Sequence, residues 1–327
     1  MTNSTIPSAN PKEKAATTAS IVLAFASVYF FWGSTYAAIR IGAAQMPAPL
    51  LAGTRFIIAG ALLMAWCRWR GLRLLWPPRA MLMLGVVGFF LLSVNNVCLV
   101  YSEKTVPSGL ASLVLAVIPL LAALAEMLLP GGEPLPARGW LGMGLGFAGL
   151  AALVWPSLHS GLLGDRARLL ALGLLLIAAF AWVAGSLLSR RARLPVNCLV
   201  AAAWQMLFAG LFNTALGTAL GQWPQFHVNA ASIGSLAYLI TAGSLLGYTA
   251  FVYLLEHVPV AKVASYAYVN PVIAVLLGIV LLHERPERAE FAGMAGIVVA
   301  VFLLTTARVK TGGRSRPVEE LEPALAE

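Results

Sequence analysis

Between Ala19 and Ile39 the chain carries no charged residue, and nine further apolar runs follow it. They extend from Ala48 to Cys67, Ala80 to Ser102, Thr105 to Ala125, Gly139 to Leu158, Leu169 to Ser189, Asn197 to Gly221, Ala231 to Leu255, Val263 to Leu282 and Phe291 to Ala307. A helix needs about 20 residues to cross a hydrocarbon core. Only a helix or a closed barrel can do so, because lipid leaves every backbone polar group to find an internal partner. The runs are long for barrel strands and predict an all-α polytopic membrane protein of ten transmembrane helices. The first run is too long for a signal peptide and has no A-x-A cleavage site, so it is expected to stay as a span.

Composition excludes the other classes. With 60% apolar and 11% charged residues the chain is no soluble domain, and Cys67, Cys98 and Cys198 are spaced for neither a disulfide framework nor a metal site. The net charge of +9 would suggest nucleic acid in a soluble chain, but here it marks loops, and no nucleic-acid partner is expected. Fifteen Lys and Arg, among them Arg70, Arg73, Arg190, Arg191 and Lys262, fall on the side of the N-terminus, and six fall opposite. Both termini are therefore expected in the cytoplasm. Residues 1–18 form a polar tail, and 308–327, basic then acidic, are expected to be a disordered cytoplasmic tail.

The chain also repeats itself. Trp32 and Trp182, Arg40 and Arg190, and Ala59-Gly60 and Ala209-Gly210 stand 150 residues apart; Tyr101 and Tyr253, Val106-Pro107 and Val258-Pro259, and Pro119 and Pro271 stand 152 apart. Two five-helix units result, 19–158 and 159–307. An odd number of spans makes the second enter the membrane from the opposite side. Inverted repeats of this kind recur in secondary transporters that work by alternating access.

Depth along the spans places the candidate pathway. Trp32, Arg55, Asn95 and Asn96 lie roughly 10 Å below the outer face, counting about 1.5 Å per residue. Trp182, Gln205 and Tyr248 lie at matching depth from the inner face, so two polar layers are expected to bracket the midplane. Arg55 is the one charged residue in the ten runs. It is read either as a site for an anionic group such as a carboxylate or as a structural tie to Asn95, Asn96 or backbone carbonyls. Trp32 with Tyr36, Trp182 with Ser186, and Tyr266 with Asn270 each share a helix face at i to i+4 and are candidates for lining a chamber or for joining helices. Pro119 and Pro271 interrupt the fourth and ninth spans and free the carbonyls of Leu115 and Ala267, as hinges or as static kinks. Gly243-x-x-x-Gly247 is expected to pack helices closely. Glu126 is read as a solvated interfacial group, with proton coupling as the alternative.

No enzyme signature is present. His283-Glu284 lacks the second His of an H-E-x-x-H zinc site, no phosphate loop occurs, and no cofactor or metal is expected. The segments Trp32-Gly33-Ser34-Thr35-Tyr36 with Ile39-Arg40, Gly53-Thr54-Arg55-Phe56, Val106-Pro107-Ser108-Gly109 and Ser265-Tyr266-Ala267-Tyr268-Val269-Asn270-Pro271 resemble the EamA-type family of the drug/metabolite transporter superfamily, nearest its YedA-like bacterial inner-membrane members. The resemblance spans about residues 20 to 307. It implies two inverted five-helix units around a central cavity, and export of amino acids, related metabolites or xenobiotics. Lys262, the Gly131–Pro134 turn and His283 depart from the family pattern. The expected partners are a small-molecule substrate and the lipid bilayer, with proton coupling as an addition and a monomer or homodimer as the assembly. An uptake permease of the same fold and a non-transporting receptor or scaffold are the rival readings.

Overall fold

The computed structural model describes residues 18–128, 137–159, 166–192, 194–258, 263 and 266–283, with scattered positions between 291 and 303. All regular structure among them is helical. The helices are α1 (Thr18–Ala43), α2 (Ala48–Trp69), α3 (Pro78–Ser102), α4 (Ser108–Leu115 continued by Ile118–Leu128), α5 (Ala137–His159), α6 (Arg166–Ala192), α7 (Cys198–Ala219), α8 (Ala230–His257) and α9 (Tyr266–Leu282). Seven stretches, on α1 to α4 and α6 to α8, are long and apolar enough to cross a membrane, and α9 carries a shorter one, Val269–Leu282. The tenth run as a whole, Lys262, the Gly131–Pro134 turn, Glu284, both tails and the side chains of Glu126 and Tyr268 lie outside the described residues.

Helix ends follow local chemistry. Pro47, Pro77 and Pro107 are the extended N-caps of α2, α3 and α4, where a missing N–H costs nothing. The Asn197 side chain accepts from Leu199 N at 3.0 Å to open α7, and Asn229 with Ser232 forms a capping box on α8. α2 and α7 end alike: Gly71 (φ 70°) and Gly221 (φ 65°) take the left-handed conformation. Leu72 N then bonds Cys67 O and Gln222 N bonds Gly217 O, each at 3.0 Å. This paired terminal motif sits at equivalent positions of the two halves. His283 (φ 53°) takes the left-handed position after α9 that glycine usually fills.

The halves also share a backbone irregularity that the hydropathy pattern does not show. α3 contains a π-helical segment at Phe89–Val94 and α8 one at Leu239–Tyr248, starting 150 residues later. A third, Val28–Trp32, interrupts α1, whereas α6 is α-helical throughout.

Glycine lets the core helices approach. Gly53 faces Thr214, Gly60 faces Leu207, Gly210 faces Ile57 and Gly217 faces Leu50, an order that runs up α2 and down α7, so the two are antiparallel. α1 and α8 are antiparallel as well, since Ser20 pairs with Tyr253, Trp32 with Gly243 and Ser235 with Ala38. In α3 and α6, Asn95 pairs with Ala178 and Ser102 with Ala171. Each of these three pairs takes one member from each half. α9 closes against α1 and α4, with Ile273 over Gly33 and Val275 over Gly109.

Candidate functional site

A cavity of about 80 Å³ lies where α1, α2, α3, α4, α6, α8 and α9 converge. Nine of the ten residues picked out by depth and spacing line it: Trp32, Tyr36, Arg55, Asn95, Asn96, Trp182, Tyr248, Tyr266 and Asn270. Gln205 does not; it lines a separate vestibule of about 1580 Å³ at the end formed by the 70–76 and 189–198 segments and the end of α8.

The expected pair of polar layers is a single one. The rings of Trp32 and Trp182 meet edge to face at 5.2 Å, and Trp32 lies 4.9 Å from Phe251 and 5.3 Å from Tyr266. Counting residues along a helix places Cα atoms, and indoles projecting from opposite sides cover the remaining depth. Gly247 makes room for this, because a Cβ there would lie 2.5 Å from Trp32 Nε1. That nitrogen donates to Gly243 O at 3.2 Å. Phe251 and Ser244 escaped the sequence reading, although Gly247 and Phe251 stand four apart and Ser244 and Tyr248 likewise, so the spacing of α8 held the signal.

Arg55 is buried and has no carboxylate partner among the described residues. Its Nε donates to Ser244 Oγ at 2.8 Å, its Nη1 to Asn96 Oδ1 at 3.3 Å, and its guanidinium lies 4.8 Å from the Phe56 ring centre. The structural tie to Asn96 therefore exists, but it does not use every donor: Nη2 has no hydrogen-bond partner among the described residues. A buried cation held only by neutral acceptors leaves an electrostatic demand that an anionic group can meet. The amides are placed by backbone carbonyls. Asn95 Nδ2 donates to Ala178 O at 3.0 Å, and the Asn270 side-chain amide lies 3.3 Å from Tyr29 O and Tyr266 O, two acceptors that its nitrogen meets when the amide is turned toward them.

The two prolines differ. α4 breaks between Leu115 and Ile118, just ahead of Pro119, and both residues line the cavity, whereas Pro271 is carried inside α9. Between cavity and vestibule stands a thin wall in which Tyr248 OH donates to Gln205 Oε1 at 2.6 Å.

A helical membrane bundle with an aromatic and amide chamber around the buried cation Arg55, separated from a wide vestibule by the Tyr248–Gln205 contact, has the form of a membrane carrier. The chain belongs to the EamA-like transporter family, which it matches twice, over residues 19–155 and 169–306. It is 36% identical over 283 residues to the inner membrane transporter YedA of Escherichia coli (strain K12), covering 85% of this chain and 88% of that one. It is 27% identical to the transporter YvbV of Bacillus subtilis (strain 168), over 90% and 94% of the two chains. A crystal structure of a protein 22% identical superposes with a TM-score of 0.67 over 89% of this chain and 98% of its own, a likeness of fold.

Proposed function

We propose that the protein is a secondary transporter of the bacterial inner membrane that exports small metabolites bearing a carboxylate, amino acids or their derivatives, by alternating access. The observation that carries this reading is Arg55, buried with a donor to spare in a chamber that offers it no carboxylate among the described residues. Chamber size favours small cargo: about 80 Å³ is well below the roughly 300–1,000 Å³ of pockets for drug-sized ligands. Xenobiotic efflux requires the walls to part further.

The alternation follows from the paired helices. Exchange of the two halves maps α2/α7 onto itself and α1/α8 onto α6/α3. This supports reading them as inverted five-helix repeats of a ten-span protein, with both termini cytoplasmic. The Trp32, Trp182, Phe251 and Tyr266 rings and the Tyr248–Gln205 bond close the vestibule side in this conformation. Pro119 and the π segments are compliant points at which the walls can move. A carrier without a nucleotide loop draws on a gradient or runs downhill, and proton antiport is one form such coupling can take. The chamber lies within one chain, so a monomer suffices.

The deciding experiment is thermal stabilisation of the purified protein by amino acids, their derivatives and cationic drugs, since a bound solute raises stability by mass action. Stabilisation by carboxylate solutes is expected; stabilisation by cations alone overturns the reading. The wall is tested separately. Tyr248→Phe leaves Gln205 Oε1 unpaired, a cost of about 1–3 kcal/mol. In inverted vesicles it should speed labelling of a Thr35→Cys thiol by an impermeant reagent about fivefold or more. Unchanged labelling would mean that the bond is not part of the barrier.

A further inference from the structure

The vestibule lies on the side to which alternating access would open the chamber, and the charges on its wall have so far been read only as markers of topology. Its wall mixes the apolar side chains of Leu84, Val87, Val196 and Leu255 with polar and charged ones in about equal measure. On that wall stand the guanidinium groups of Arg70, Arg73 and Arg190, with His257, against one carboxylate, Glu256, among the described lining residues. Two of the three are positioned: Arg73 Nε donates to Leu75 O at 3.0 Å with its guanidinium 4.7 Å from the Trp76 ring centre, and Arg70 lies 5.9 Å from that of Trp66. Cations on a flat membrane surface lose their field to surrounding water. Arg70, Arg73 and Arg190 are exposed, but they line one concave hollow, where their fields add and the potential inside rises.

We propose that the vestibule is an anion-binding antechamber. It takes a soluble solute carrying a carboxylate or phosphate, held by charge-assisted hydrogen bonds from Arg70, Arg73 and Arg190, on the vestibule side of the Tyr248–Gln205 wall. The inference goes beyond the chamber reading and does not depend on it, because Arg55 lies beyond that wall and its role does not enter the test.

Cys198 lines the same hollow within the field of Glu256 and is half-buried, so its modification reports the balance between that carboxylate and the three guanidinium groups. The full chain, in nanodiscs of zwitterionic phosphatidylcholine, is treated with the anionic sulfonatoethyl and the cationic trimethylammonioethyl methanethiosulfonates. Modification at Cys198 is followed by mass spectrometry, with each rate divided by that of a free thiol. The anionic reagent is expected to react about tenfold faster. That preference should fall to near parity in the Arg70→Gln/Arg73→Gln/Arg190→Gln variant and at high salt, and should return with Lys at the three positions. Inorganic phosphate should slow the reaction saturably. Each single Arg→Gln variant should lose part of the preference, so the test survives a folding failure of the triple variant. Equal rates for the two reagents in the unmodified protein, or a preference that survives the substitutions, would overturn the proposal. So would protection by phosphatidylglycerol in the discs with none from phosphate, which would make the occupant a lipid headgroup.

Discussion

Replacing Arg55 with Ala is expected to weaken binding of carboxylate solutes by about 10- to 100-fold, the worth of a hydrogen bond to a charged group of about 1.5–3 kcal/mol. The measurement is the solute concentration that half-saturates the rise in thermal midpoint. Arg55→Lys should recover part of the loss, since it keeps the charge but not the planar fork that serves Ser244 and Asn96 together. Truncation also leaves Ser244 and Asn96 without their donor, so the unliganded protein should melt lower. Ser244→Ala separates the two effects: it removes one tether and keeps the cation, and it should change solute affinity by no more than about threefold. Unchanged affinity for every carboxylate solute in Arg55→Ala would return the residue to a structural tie.

The largest stability effect is expected from a single methyl group. In Gly88→Ala the new Cβ would lie 2.5 Å from Gln205 O and 2.9 Å from Gln205 Cα, backbone atoms that cannot rotate aside. α3 and α7 must separate, at about 1–3 kcal/mol for an overpacked core, which lowers the thermal midpoint by roughly 1–5 °C for a chain of 327 residues. The displaced residue is Gln205, so the variant should also loosen its bond to Tyr248. Gly85→Ala, one turn earlier on α3, meets Phe208 at 3.6 Å, an ordinary contact. It should be neutral or stabilising, because Ala favours a helix over Gly by about 1 kcal/mol. Equal midpoints for the two variants would show that α3 and α7 do not pack through Gly88.

Much of the candidate site was legible because polar residues inside apolar runs are few. Arg55, Asn95, Asn96 and Asn270 stood out by chemistry alone, and Trp32 and Trp182 by the repeat. Gln205 stands apart from the other nine for a geometric reason: it occupies the repeat position of Arg55, but it lines the vestibule and meets the chamber wall through Tyr248. Pro119 and Pro271 show the same limit. They match in the repeat, but α4 breaks ahead of one and α9 runs through the other. The π segments of α1, α3 and α8 had no sequence signal at all, since their residues are as apolar as those of the α-helical turns beside them.

The sequence by itself determined the helical class, the position of most spans and the presence of two related halves. Hydrocarbon demands internal backbone pairing, and apolar length is enough to report it. Only the tertiary structure decided that Arg55 meets Ser244 across 189 residues and Trp32 meets Gly243 across 211. It also decided that the two expected layers merge and that a wall divides chamber from vestibule. These depend on how each helix is rotated and tilted against its neighbours. Lipid tails are as apolar as leucine, so the hydropathy of a span does not say which face turns inward.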